Sequence, residues 1–232
     1  MMKLKIVPEI VEINVFYDIE EPILKDDLIE ALKEKGFSEI SEEPELLNIG
    51  RIELERLTIA RKRGCNINYS WRDGVIGVVG NKFIDVLTTY EELEQILKDK
   101  EFLNNAKRFE HHSRVKVQIG TKPTSTIKLL AQAFKNIFLP QDKYTKLEEI
   151  FNMKLQPFCI RLCPKNSEDF IGNLREYENW LDVYIFPYIT NTRYLSIWFV
   201  FRDKDSEKVK EFTRSAESRI KNILEVIVSD RI

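Results

Sequence analysis

The chain has 232 residues, with 36 Lys/Arg, 38 Asp/Glu and 43% hydrophobic residues, enough apolar material for one large domain or two small ones. Its 14 Phe, 8 Tyr and 3 Trp exclude a disordered chain, and no apolar run reaches the length of a membrane span. The net charge of −2 hides an uneven distribution: residues 1–60 hold 15 Asp/Glu against 7 Lys/Arg, whereas residues 107–146 hold 9 Lys/Arg against 2 Asp/Glu. A concentrated basic tract attracts a polyanion or an acidic partner, and it can equally pair with the chain's own acidic segment.

Residues 10–18 alternate, with Ile10, Glu12 and Asn14 on one side and Val11, Ile13 and Val15 on the other, which predicts a strand. Residues 24–35 place Leu28, Ile29 and Leu32 on one helical face, with Gly36 as the stop. After the acidic connection 41–45, residues 51–63 read as a long strand, with a helix as the alternative, ended by Gly64. Residues 66–71 and 75–79, joined by Arg72-Asp73-Gly74, form the clearest hairpin, because Asp-Gly supplies the positive φ that a tight turn requires. Residues 83–87 are expected to extend the sheet. Thr89 then reads as an N-cap, with Glu92 as its capping-box partner, for a helix from residue 90 to about 103.

The second half opens with a strand at 115–119, followed by a helix from about 124 to 138 whose apolar positions keep the helical period. A short helix at 145–153, a strand at 158–162, a helix capped by Ser167, a hairpin of 182–189 with 194–202, and a long helix from 206 to about 228 complete the chain. The expected fold is α+β: mostly antiparallel sheets with helices packed on one face, in two similar strand-helix-strands-helix halves. That element order is ferredoxin-like or TATA-binding-protein-like, and the analogy rests on order alone. The halves are expected at 1–106 and 107–232, the second entered through the basic segment 107–146.

Residues 120–128, Gly-Thr-Lys-Pro-Thr-Ser-Thr-Ile-Lys, join a strand to a helix start, where free N–H groups and the helix dipole favour anions. Lys122, Thr124, Ser125, Thr126 and Lys128 are the candidate anion-binding residues, although the glycine-rich phosphate loop is absent. Lys107, Arg108, Arg114 and Lys116 form a candidate basic surface. Both histidines, His111 and His112, lie in the same stretch. Adjacent positions diverge on either a strand or a helix, so the pair does not suit joint metal ligation, and 107–114 reads as a solvated junction between the halves. One histidine as a general base is the enzymatic alternative.

The cysteines Cys65, Cys159 and Cys163 fit a reducing compartment, and the start of the chain lacks a signal-peptide core, so a cytoplasmic location is expected. Cys159 and Cys163 are too far apart along one strand for a disulfide and read as small buried thiols, with no zinc set nearby. On residues 194–201, Leu195, Ile197, Phe199 and Phe201 define a core face. Tyr194, Ser196, Trp198 and Val200 define the other, fit for an interface or for base stacking. The abundance of Ile, Lys and Glu resembles thermophile composition and equally an AT-rich genome.

These features point to a binding module for nucleic acid or an acidic protein, engaged through the basic segment. The alternative is a self-associating scaffold or interaction protein, a homo-oligomer, and behind it an enzyme acting on a phosphorylated substrate. No nucleophile elbow, dinucleotide fingerprint or metal motif is present, and no metal, cofactor or membrane partner is expected.

Overall fold

The computed structural model describes residues 5–18, 23–40, 45–49, 52–106, 108–120, 125–134, 141–155, 158–164, 179–188 and 190–228. In chain order the elements are β1 (Lys5–Asp18), α1 (Lys25–Glu34), β2 (Ser38–Glu39), β3 (Glu45–Ile49), β4 (Ile52–Lys62), β5 (Cys65–Ser70), β6 (Val75–Gly80) and α2 (Phe83–Asp99). They continue with β7 (Arg108–Gly120), α3 (Thr126–Phe134), α4 (Gln141–Phe151), β8 (Ile160–Leu162), β9 (Leu181–Pro187), β10 (Tyr194–Asp203) and α5 (Ser206–Val228). The fold is α+β. One antiparallel sheet of nine strands runs β2-β4-β5-β6-β1-β7-β10-β9-β8, and β3 pairs with β4 off that row.

The two segments meet in the middle of this sheet. β1 and β7 are antiparallel neighbours over their full length, from Lys5 opposite Gly120 to Asp18 opposite Arg108. The register slips between Pro8 and Ile10, leaving Glu9 as the extra residue of a bulge. Proline has no N–H to give to a ladder, so a bulge beside Pro8 relieves a bond that the strand could not make.

Helices α2 and α5 pack on the same face of the sheet. Val11, Ile13 and Val15 of β1, Val115, Val117 and Ile119 of β7, and Leu195, Ile197 and Phe199 of β10 are buried there. They meet Val86, Tyr90, Leu93 and Leu97 of α2 and Val209, Phe212, Ala216 and Ile220 of α5 in one hydrophobic core. Phe212 of α5 stacks on Phe201 at 4.6 Å and meets Phe199 edge-on at 6.0 Å. The face assignment read from residues 194–201 therefore holds. Among the described residues, no helix is long and apolar enough to cross a membrane.

The 66–79 hairpin forms as its Asp-Gly turn requires. Gly74 has φ 58°, and a Cβ there would lie 2.0 Å from the Tyr17 carbonyl oxygen. Two expectations are corrected. Residues 83–87 do not extend the sheet; they are the first turns of α2, which starts at Phe83, and Thr89 is fully buried inside it rather than capping it. Val86, Leu87, Tyr90, Leu93, Ile96 and Leu97 recur at helical spacing, so burial of that stripe overrides the local β preference of Phe-Ile-Asp-Val-Leu. Likewise 107–114 is not a solvated junction: β7 already runs from Arg108, and Glu110 and His111 are buried.

The helix expected after Ser167 falls almost wholly outside the described residues. Of the thiols, Cys65 is buried as expected, but Cys159 and Cys163 are exposed. They flank the three-residue strand β8, which pairs with β9 at the end of the sheet among the described residues.

Candidate functional site

The side chains on β7 and β10 that meet the described helices sit at odd-numbered positions. Tyr90 of α2 bonds His111, and Thr213 of α5 donates to Ser113 Oγ at 2.6 Å. The even-numbered positions of the same strands therefore form the second face of the sheet. Its centre is polar. Glu12 and Asn14 of β1 are buried at 0% and 4% exposure, in the strand positions that the alternation assigns to the outer side.

Cross-strand register explains the arrangement. Glu12 lies opposite Arg114, and Asn14 opposite His112, which in turn lies opposite Arg202 of β10. Glu12 forms an ion pair with Arg114 and accepts a hydrogen bond from Asn14 Nδ2 at 2.9 Å. Asn14 fits because its β6 neighbour is Gly77, where a Cβ would lie 1.9 Å from Asn14 Oδ1 and 2.6 Å from the Ile13 carbonyl. His112 stacks on Phe16 at 4.1 Å and meets Glu110 at 3.1 Å through Nε2. A carboxylate only accepts, so Nε2 carries the proton. Burial lowers the His112 pKa, with the Glu110 contact opposing the shift.

Further along the face, Lys116 pairs with Glu9 at 2.9 Å, and the Gln118 amide also donates to Glu9. Arg161 grips Asp182 through Nε and Nη2, the shortest contact being 2.6 Å. Aromatic rings lie between the charges: Trp198 beside the Arg114 guanidinium at 6.0 Å, Trp180 beside Arg202 at 5.7 Å, and Tyr184 stacked on Phe186 at 4.6 Å. Four buried atoms of this face, Asn14 Oδ1, Arg114 Nε, Ser196 Oγ and Trp198 Nε1, make no hydrogen bond.

The expected basic surface is thus partly neutralised within the chain. Arg114 and Lys116 face acids of β1, so the acidic start and the basic tract meet strand to strand. Arg108 lies in register with Asp18 at the end of β7, and Lys107 is outside the described residues. Of the expected anion-binding residues, Lys122 and Thr124 also lie outside them. Thr126 is fully buried at the start of α3, and both its N–H and its hydroxyl donate to the Thr192 carbonyl, at 2.9 and 3.0 Å. Ser125 is half-buried ahead of it and Lys128 is exposed. The Thr126 hydroxyl therefore already has its partner in the protein.

A second polar group lies under the helices. Tyr90 is fully buried, and its hydroxyl sits 2.5 Å from His111 Nδ1. Burial raises the Tyr90 pKa and lowers that of His111. The tyrosine therefore keeps its proton and donates it to a neutral imidazole. Alongside, Ser206 donates to Glu94, and Lys210 reaches Glu94 at 2.7 Å and Glu207 at 2.5 Å. This network ties α2 to β7 and α5. Among the described residues, no three His, Cys, Asp or Glu side chains gather to hold a metal.

Sequence reading missed Glu12, Asn14, Glu110 and Gly77 as site residues. Glu12 and Asn14 look like ordinary outward positions of an alternating strand, yet both are buried on a central strand of the sheet. The visible signal was Glu-x-Asn set between β-branched residues, together with an unusually bare Gly-Val-Ile-Gly-Val-Val-Gly strand that could receive them.

No protein-family model and no curated protein matches the chain. Among solved structures, it is similar to a chain described as "Crystal structure of aspartokinase alpha and beta subunits", with 9% identity over 95% of this chain and 98% of that one and a TM-score of 0.24. A superposition that loose assigns neither fold nor function.

Proposed function

We propose that the protein is a non-enzymatic interaction module that takes a protein partner on the polar face of its sheet. The observation that carries this reading is the internal pairing of charge on that face: Glu9 with Lys116, Glu12 with Arg114, and Asp182 with Arg161. A surface for a polyanion presents cations that are free to replace counterions, whereas these are already matched. A charge-balanced face set with Trp and Tyr suits a protein surface, where aromatic residues and Arg are enriched. On this reading the segments 1–106 and 107–232 are equivalent units, each a strand, helix, strands and helix, and each supplies half of the face through β1 or β7.

The test is a photo-cross-linking amino acid placed at Tyr184, on the face, and at Trp71, an exposed hairpin residue away from it. A discrete adduct from position 184 in cells, resistant to nuclease and absent from position 71, is expected. A nuclease-sensitive adduct would instead support nucleic acid as the ligand, and no adduct from 184 would remove the face as a binding surface.

A further inference from the structure

The polar groups under α2 and α5 follow one another in series from the core to the surface. His111 of β7 is 3% exposed, and its Nδ1 lies 2.5 Å from the Tyr90 hydroxyl of α2. That hydroxyl is also within hydrogen-bonding reach of Ser206, the first residue of α5. Ser206 donates to Glu94, one turn along α2 from Tyr90. Glu94 is the outer end of the series, with 32% of its side chain exposed. The links alternate between β7, α2 and α5, so the series exists only while both helices are docked on the sheet. A hydroxyl donates one hydrogen and accepts another, so two of them between a carboxyl and an imidazole can pass a proton while the fold stays closed.

We infer that Glu94, Ser206, Tyr90 and His111 form a proton relay that connects the buried imidazole to solvent and makes the α2–β7–α5 junction a pH-responsive element. When Glu94 is protonated, it donates to Ser206, Ser206 donates to Tyr90, and Tyr90 donates to His111 Nδ1. The Glu94 proton then moves to the Ser206 oxygen, the Ser206 proton to the Tyr90 oxygen and the Tyr90 proton to Nδ1. One O–H bond breaks and one forms at each hydroxyl, so Ser206 and Tyr90 end neutral, Glu94 ends as a carboxylate and His111 as an imidazolium. The charged and titratable groups around the imidazole come from every side. They are Tyr90 and Glu94 of α2, Lys210 of α5 with Glu207 at 2.5 Å from it, Asp205 in the turn before α5, His112 beside it on β7, and Asp203 of β10. Asp203 lies directly opposite His111, is 5% exposed and pairs with Lys208 at 3.3 Å. Glu94 and Asp205 favour the imidazolium, Lys210 and His112 oppose it, and burial opposes it most, so the transfer completes only below the ordinary imidazole range. The relay does not depend on what the polar face of the sheet binds.

The test is nitrogen NMR of the His111 ring in the full chain, titrated from neutral pH into the acid range. The neutral ring should carry its proton on Nε2, because Nδ1 accepts from Tyr90; this is read on the wild type and needs no substitution. At the titration midpoint the two ring forms of the wild type should interconvert fast enough to give one averaged signal. Ser206→Ala should keep the midpoint but slow the interconversion at least about tenfold, to the rate of local opening read from amide hydrogen exchange in β7. Glu94→Gln should slow it too and should also lower the midpoint, because a carboxylate that favours the imidazolium is gone. The two variants thereby separate passage of the proton from its electrostatic stabilisation. Ser215→Ala, which removes an α5 hydroxyl outside the relay, should change neither rate nor midpoint. A neutral ring protonated on Nδ1, or a Ser206→Ala protein that interconverts as fast as the wild type, overturns the inference.

Discussion

Gly77 and Asn14 show how one bare position sets a polar centre in the sheet. The Asn14 amide lies across Gly77 and presents Nδ2 to Glu12, so a side chain at 77 would occupy the space of both the amide and the Ile13 carbonyl. Gly77→Ala is expected to destabilise the protein by about 2–3 kcal/mol, the usual cost of overpacking against backbone, read as a lower urea midpoint at unchanged slope. Asn14→Ala in the same background should recover only part of the loss, since the carbonyl clash at 2.6 Å remains. Tyr90 makes a second residue-scale case. Tyr90→Phe keeps the ring in the core but leaves His111 Nδ1 without its donor, and a cost of about 1–3 kcal/mol is expected for a buried acceptor left unpaired. A midpoint equal to the wild type would show that water replaces the hydroxyl.

Among elements, the β1–β7 pair joins what the sequence presents as an acidic start and a basic middle. The charge asymmetry was legible, and so was the option that the two regions pair within the chain. The partner strand and the register were not, because Glu12 opposite Arg114 follows from sheet order, which no local pattern encodes. Patterns set by the element itself were readable: the α5 stripe of Val209, Phe212, Ala216, Ile220 and Leu224 is buried as its period demands, and the hairpin at Gly74 follows from backbone sterics. The start of α2 was misread for the converse reason. Phe83, Ile84 and Val86 are β-formers one by one, and the core contact that makes them helical is long-range. The Glu12–Arg114 pair also yields a prediction. Glu12→Gln removes the charge while keeping an acceptor for Asn14, leaving a mostly buried guanidinium uncompensated. A loss of about 3 kcal/mol is expected, at the low end for a broken buried pair because the Arg114 side chain keeps 20% exposure. In a double-mutant cycle with Arg114→Met, the coupling should appear as a double variant more stable than Glu12→Gln alone.

For the whole molecule, the two histidines share β7, the strand on which both segments rest, so their protonation bears on the entire sheet. Burial lowers the pKa of each below its ordinary value of 6.5. In the unfolded chain they bind protons as the pH drops through 6.5, while in the folded chain they do so only at lower pH. The unfolded state therefore takes up more protons in that window, and stability falls as pH falls. The ion pair that fixes α2 to the β4–β5 turn behaves differently. Arg63 and Lys62 hold Glu92 at about 2, against an ordinary 4.5, so the support it gives is present above 4.5 and lost only as the pH falls through about 2. Urea midpoints measured from neutral pH downwards should accordingly stay level to about 6.5 and then decline well before Glu92 titrates. His111→Gln should flatten the part of that decline owed to the imidazole under α2 and α5, and His112→Gln the part owed to the imidazole on the other face of the sheet. The same wild-type decline in both variants would mean that neither histidine governs it and that the acid response comes from the carboxylates alone. Flattening in His111→Gln only would place the pH sensitivity in the helix-covered core, where the imidazole joins α2 to β7.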